Sequence, residues 1–132
     1  MFPIKKHYIL HWGYKPWKIE KMFEAEIMKK LRAEWFITFH PQDVWLAGKF
    51  LDCHIVSPEW NLHWIEFKKI QWATFNISKF EQSQIFLLRE LDKRNPDVAR
   101  VYIYSVKARD YKVFTFTELW EAKNSKGWIK IF

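Results

Sequence analysis

Residues 62–70, LHWIEFKKI, alternate in a way that constrains the chain more than any other stretch. Successive side chains of a β-strand point to opposite faces, so Leu62, Trp64, Glu66, Lys68 and Ile70 share one face. A carboxylate and an ammonium set beside apolar neighbours form either a salt bridge or part of a site. The elements around this strand have to supply whatever decides between the two.

Upstream, Ile19, Phe23, Ile27 and Leu31 recur every four positions, which predicts an amphipathic helix over residues 17–33, with Pro16 suited to its start. Trp35 to Phe39 reads as a strand closed by Pro41. Lys49 to Val56 reads as another, joined to the 62–70 strand by a turn containing Ser57-Pro58 and Asn61. Downstream, Ser78-Lys79-Phe80-Glu81 has the form of a capping box and predicts a helix to about Arg94, stopped by Asn95-Pro96. Ala99 to Ser105 and Lys112 to Phe116 are two more strands. A short helical stretch follows from Thr117, then Gly127 and a last apolar, strand-like piece. The order predicts an α/β fold: one mixed sheet flanked by helices.

The length of 132 residues suits a single domain, and 49% apolar against 28% charged residues suits a globular one. No apolar run approaches the ~20 residues that span a bilayer, so no membrane partner is expected. The N-terminal stretch lacks a cleavable signal, and Cys53 alone excludes a disulfide framework or a thiolate zinc site; both suit a reducing, cytoplasmic setting. The five histidines show no paired ligand spacing on a helix. A net charge of +7 favours a polyanionic partner such as nucleic acid. Nine tryptophans build either a core of large rings or surfaces on which bases stack. Lys5, Lys6, His7, Tyr8, Trp12 and Lys15 give residues 1–15 the character of a basic aromatic arm ahead of a core over about 17–116.

Chemistry concentrates on two strands. In KFLDCHIV, Leu51, Cys53 and Ile55 form an apolar face, and Asp52 with His54 the other. Asp52 precedes Glu66 by fourteen residues across one turn, so the two carboxylates can share a face with Lys68. Converging carboxylates bind a hard divalent cation such as Mg²⁺. A lysine beside them can orient an attacking water or balance charge growing on a phosphate. The plainer alternative is a cross-strand salt bridge. On the second helix Phe80, Leu87, Leu88 and Leu91 make the apolar face, and Gln84 falls near its centre. An unpaired amide there costs roughly 1–3 kcal/mol, so the polar cluster of Asp52, Glu66 and Lys68 is its expected partner. On the first helix Glu20 and Glu24 both border the apolar stripe, and periodicity does not choose between them.

Helix-borne Glu, strand Asp, ExK on the next strand and a helix with an inward Gln is an order that resembles the PD-(D/E)xK nucleases. Within them it is most similar to the Holliday-junction resolvases of archaeal and RecU type. The resemblance covers about residues 17–106. Glu24 with Ile27 and Leu31 matches the archaeal pattern, so it selects Glu24 over Glu20; Asp52, Glu66 and Lys68 match the acids and lysine. Ser78 and Ser83-Gln84 are similar to the RecU-type helix start. A second ExK, Glu121-Ala122-Lys123, lies in a helix-like stretch with only nine residues after it and is set aside.

The resemblance implies a restriction-endonuclease-like fold and a metal-dependent DNA endonuclease. Mg²⁺, with Mn²⁺ as a substitute, would be held by Asp52, Glu66 and the Phe67 carbonyl oxygen, with Glu24 in the outer shell or on a second ion. Lys68 would position water or steady the phosphate, and Gln84 would orient the cluster. Lys5, Lys6, Lys49, Lys69 and Lys79 are candidates for phosphate contacts on branched or double-stranded DNA, and a homodimer is implied. Two other classes fit the chain: a nucleic-acid-binding module of the same fold that does not cut, and a protein-interaction domain whose tryptophans form an interface.

Overall fold

The computed structural model describes residues 16–39 and 53–132, the side chains of residues 16–20, 39 and 53 excepted. In chain order its elements are α1 (Pro16–Ala33), β1 (Ile37–Phe39), β2 (Cys53–Val56), β3 (Leu62–Ile70), β4 (Thr74–Asn76), α2 (Gln82–Arg94), β5 (Ala99–Ser105), β6 (Asp110–Phe114), α3 (Phe116–Ala122) and β7 (Trp128–Lys130). β2 runs antiparallel to both β1 and β3. The chain then crosses over through α2, so that β5 lies parallel to β3, from Trp64 opposite Ala99 to Ile70 opposite Ser105. β6 returns antiparallel to β5, which completes a mixed five-stranded sheet in the order β1-β2-β3-β5-β6. β4 and β7 pair separately. The predicted mixed α/β architecture is therefore the observed one.

Alternation on the strands divides the core in two. Ile65 and Phe67 of β3, with Tyr102, Tyr104 and Tyr111, pack under Phe23, Ile27, Met28 and Leu31 of α1. Phe23 is central there, its ring centroid 5.6 Å from Phe67, 5.1 Å from Tyr104 and 5.3 Å from Tyr111. Ile70, Val101 and Ile103 face the other way, against Leu88 of α2, Phe116 and Leu119 of α3, and Phe75 and Ile129 of the small ribbon. Helix, sheet and helices thus form three layers. No helix among the described residues is long and apolar enough to cross a membrane.

Boundaries differ from the sequence reading at three places through local hydrogen bonding, and β6 begins at Asp110, two residues before the expected Lys112. The strand expected over 35–39 begins only at Ile37, because Trp35 takes a left-handed φ of 70° that closes α1. The Trp35 N–H donates to the Arg32 carbonyl (3.1 Å) and the Phe36 N–H to the Leu31 carbonyl (3.0 Å), a closure usually given to glycine. The strand expected to reach Phe116 ends at Phe114, since Thr115 caps α3. Its hydroxyl accepts the Glu118 N–H (3.1 Å), and Glu118 accepts the Thr115 N–H (2.9 Å). The third difference concerns α2, whose cap is Glu81, not Ser78. Ser78 sits instead in a 3-10 turn over Ile77–Lys79, its N–H donating to Asn76 Oδ1 at 2.9 Å.

α2 is tied to α3 by a buried carboxylate. Asp92 Oδ2 accepts the Thr117 N–H at 2.8 Å and the Thr117 hydroxyl at 2.9 Å, so it also caps the first turn of α3. Asp92→Ala is expected to cost about 2 kcal/mol in urea unfolding, the scale of hydrogen bonds to a charged acceptor. At Trp35 the side chain is 83% exposed and little packing is at stake. Trp35→Gly should therefore stabilise the fold by about 1 kcal/mol through relief of the left-handed backbone, read in the same titration.

Candidate functional site

Glu66 belongs to the β3 face that α2 covers, and it is only 2% exposed. A carboxylate so deeply placed is unfavourable unless a donor meets it. Gln84, also buried, supplies one: its Nε2 donates to Glu66 Oε2 at 2.8 Å. The other end of the amide is used as well, with Oε1 accepting the Glu81 N–H at 3.1 Å. Glu81 completes the arrangement as the helix cap, its carboxylate accepting the Gln84 backbone N–H. The rotamer of Gln84 is thus fixed from both sides at the first turn of α2.

Lys68 follows on the same face, half-buried. Its Nζ donates to the Lys79 carbonyl at 3.1 Å and stands 5.0 Å from the centroid of the Phe80 ring. Its contacts are a carbonyl and a ring, not the Glu66 carboxylate. The two charged groups on this face of β3 are therefore held by separate partners from the Lys79–Gln84 segment. That is not the salt bridge which their spacing alone allowed.

His54 lies on this face too. It stands opposite Trp64 in the β2–β3 ladder, the two ring centroids 4.2 Å apart and edge to face. Burial lowers its pKa below the ordinary 6.5, so the ring is neutral at pH 7.

The other predicted site residues are more dispersed. Glu24 is half-buried on α1, next to Phe23, and so stands on the layer that covers the opposite face of the sheet. The Phe67 side chain is on that opposite face, edge-on to Phe23, and its backbone stands opposite Tyr102. Lys69, half-buried, alternates onto the α1 side opposite Tyr104, whereas Lys79 is exposed on the α2 side. Asp52, Lys5, Lys6 and Lys49 lie outside the described residues, as does the side chain of Glu20. Cys53, which follows Asp52 in the chain, pairs with Ile65, which precedes Glu66. Among the described residues no three His, Cys, Asp or Glu side chains gather in a way that could hold a metal. The set-aside ExK ends α3, with Glu121 exposed and Lys123 Nζ 4.6 Å from the Trp120 ring centroid.

Sequence reasoning missed two members of this arrangement. Glu81 orients Gln84, and its E-x-x-Q spacing was a signal for a cap. Phe80, assigned only to the core, also carries the Lys68 ammonium.

Gln84→Leu strips the buried carboxylate of its amide donor and is expected to lower stability by about 2–3 kcal/mol in urea unfolding. Glu66→Gln keeps an acceptor oxygen for Gln84 and should cost less than about 1 kcal/mol in the same measurement. For His54 the depressed pKa means that the unfolded chain binds the proton more readily. Its contribution is complete above pH 6.5 and is lost as the pH falls through the lower folded-state value. The thermal midpoint should drop less between pH 7.5 and pH 5 in His54→Gln than in the unaltered protein.

No protein-family profile matches the chain. A comparison with curated proteins likewise finds no significant match, so the geometry of its own residues has to carry the functional reading.

Proposed function

We propose that this chain is a metal-dependent DNA endonuclease of the PD-(D/E)xK kind, hydrolysing phosphodiester bonds in double-stranded or branched DNA. The bond from Gln84 to Glu66, with Lys68 alongside, carries the reading. It joins the acid of the ExK strand to the inward glutamine of the following helix, the pairing that the family resemblance implies. The order helix, three antiparallel strands, crossover helix and parallel strand supports a restriction-endonuclease-like arrangement of the same elements.

The donor set suits magnesium. Glu66 offers a hard oxygen ligand, and the resemblance adds Asp52 and the Phe67 carbonyl. This proposal has Asp52 and Glu66 meet; their chain neighbours Cys53 and Ile65 pair in the β2–β3 ladder. The bound ion would supply Lewis acidity and a water of lowered pKa. Gln84 fixes the Glu66 carboxylate, a positioning role. Lys68 is the cation available to a phosphate oxygen, reached by exchanging the Lys79 carbonyl for the substrate. The family likeness also supports action as a homodimer.

Nicking of duplex and four-way-junction DNA with Mg²⁺ tests this reading. Asp52→Asn, Glu66→Gln and Lys68→Ala are expected to lose at least 100-fold in rate. Gln84→Ala should lose roughly 10- to 100-fold, the scale of residues that support a metal ligand. EDTA should abolish cutting and Mn²⁺ restore it. Absence of cleavage with every divalent ion would contradict the proposal.

The burial of Glu66, at 2% exposure, favours a second reading. In it the Glu66–Gln84 bond only holds helix to sheet, and the fold binds nucleic acid without cutting it. Undiminished DNA binding in Glu66→Gln and Lys68→Ala, with no cleavage by any form of the protein, would select that reading.

A further inference from the structure

Beyond Lys68 the strand β3 runs into Gln71 and Trp72, and Trp72 leaves 66% of its surface in solvent. A large ring so exposed is ordinarily on a loose loop, yet this one is held firmly. The Ser105 hydroxyl donates to the Trp72 carbonyl. The Lys107 N–H donates to the Gln71 carbonyl at 3.1 Å, and the Val106 N–H to the Ile70 carbonyl at 2.9 Å. These bonds fasten the exit of β3 to the β5–β6 turn.

The turn itself is closed by the Arg109 N–H on the Ser105 carbonyl at 2.9 Å and the Ala108 N–H on Ser105 Oγ at 3.2 Å. Its sequence, Val106-Lys107-Ala108-Arg109, carries two cations and no acid. Lys107 reaches back so that its Nζ stands 5.0 Å from the Trp72 ring centroid. An exposed indole on a rigid backbone, with Lys107 over it and Arg109 two residues further along the same turn, combines the two requirements of a single-strand site: a flat face for a base and charge for its phosphates. The net charge of +7 makes the complementary partner a polyanion. A paired base stacks on its own neighbours, so the ring selects for an unpaired one.

We propose that Trp72 stacks an unpaired base of DNA while Lys107 and Arg109 take the flanking phosphates. This deepens the endonuclease reading, on which it rests for its bearing on the substrate. Trp72 follows Lys68 by four residues, at most roughly 13 Å of extended chain and the length of about four stacked nucleotides. The DNA cut would then have single-stranded character within a few nucleotides of the scissile bond, as at a branch, flap or end.

Fluorescence anisotropy in EDTA, where no cleavage occurs, tests the site with labelled oligothymidylate of roughly 20 nucleotides and a duplex of equal length. Trp72→Ala is expected to weaken oligothymidylate binding about 10- to 100-fold and duplex binding less than about 2-fold, and Trp72→Phe to recover most of the loss. Lys107→Gln and Arg109→Gln should each reduce the slope of log K against log salt for oligothymidylate by about 0.7. Unchanged oligothymidylate binding in Trp72→Ala, equal losses on both DNAs, or no oligothymidylate binding by the unaltered protein would each overturn the proposal. Because binding is read without metal, a protein that passes this test and never nicks DNA refutes the endonuclease reading alone. One that nicks with Trp72→Ala binding unchanged refutes the stacking site alone.

Discussion

A hydrogen bond of 2.8 Å between Gln84 and Glu66 ties the chemistry of this fold to its architecture. Glu66 occupies a core-facing position of the central strand, where a carboxylate without a partner would cost several times what one hydrogen bond returns. Gln84 meets that cost only if α2 packs at one height along β3. The height is set in turn by the capping exchange between Glu81 and Gln84. The bond consequently acts as a register mark between helix and sheet, and a mispositioned α2 would break it between two buried groups.

The same helix is fixed at its far end by Asp92, which holds the first turn of α3. Between these polar contacts the apolar filling is ordinary, with Leu88 against Val101 and Ile103. Polar bonds at both ends and apolar packing between them leave α2 little freedom to slide or rotate. That rigidity keeps Glu66 and the ammonium of Lys68 apart although they sit two residues from each other. Each group is bonded to an atom of the Lys79–Gln84 segment, so neither has collapsed onto the other. A carboxyl group and an ammonium that are not bonded to one another can each still act on a third group.

Much of this was legible in the chain. The alternation in LHWIEFKKI fixed β3 and its charged face, ARVYIYS fixed β5, and the four-residue spacing of Phe23, Ile27 and Leu31 fixed α1, because each pattern reports burial on one side of a regular element. The inward place of Gln84 followed from helical periodicity, and Glu66 was among its expected partners. What periodicity could not convey was which sheet face a helix covers. Glu24 was grouped with Glu66 by order along the chain, whereas its helix packs on the opposite layer. Short-range hydrogen bonding defeated the boundaries at Trp35, Thr115 and Glu81. Two of those were readable as T-x-x-E and E-x-x-Q pairs, but the left-handed Trp35 carries no sequence signal of the usual glycine kind. β4 and β7, three residues each, are too short to show any period.

The proposed chemistry requires the carboxylate that Gln84 holds to bind a divalent ion together with Asp52. Anomalous diffraction from crystals grown with Mn²⁺ measures this directly. One peak is expected at roughly 2.1 Å from carboxylate oxygens of both Glu66 and Asp52. Crystals that take up Mn²⁺ elsewhere, with the Asp52 and Glu66 side chains diverging, would contradict it.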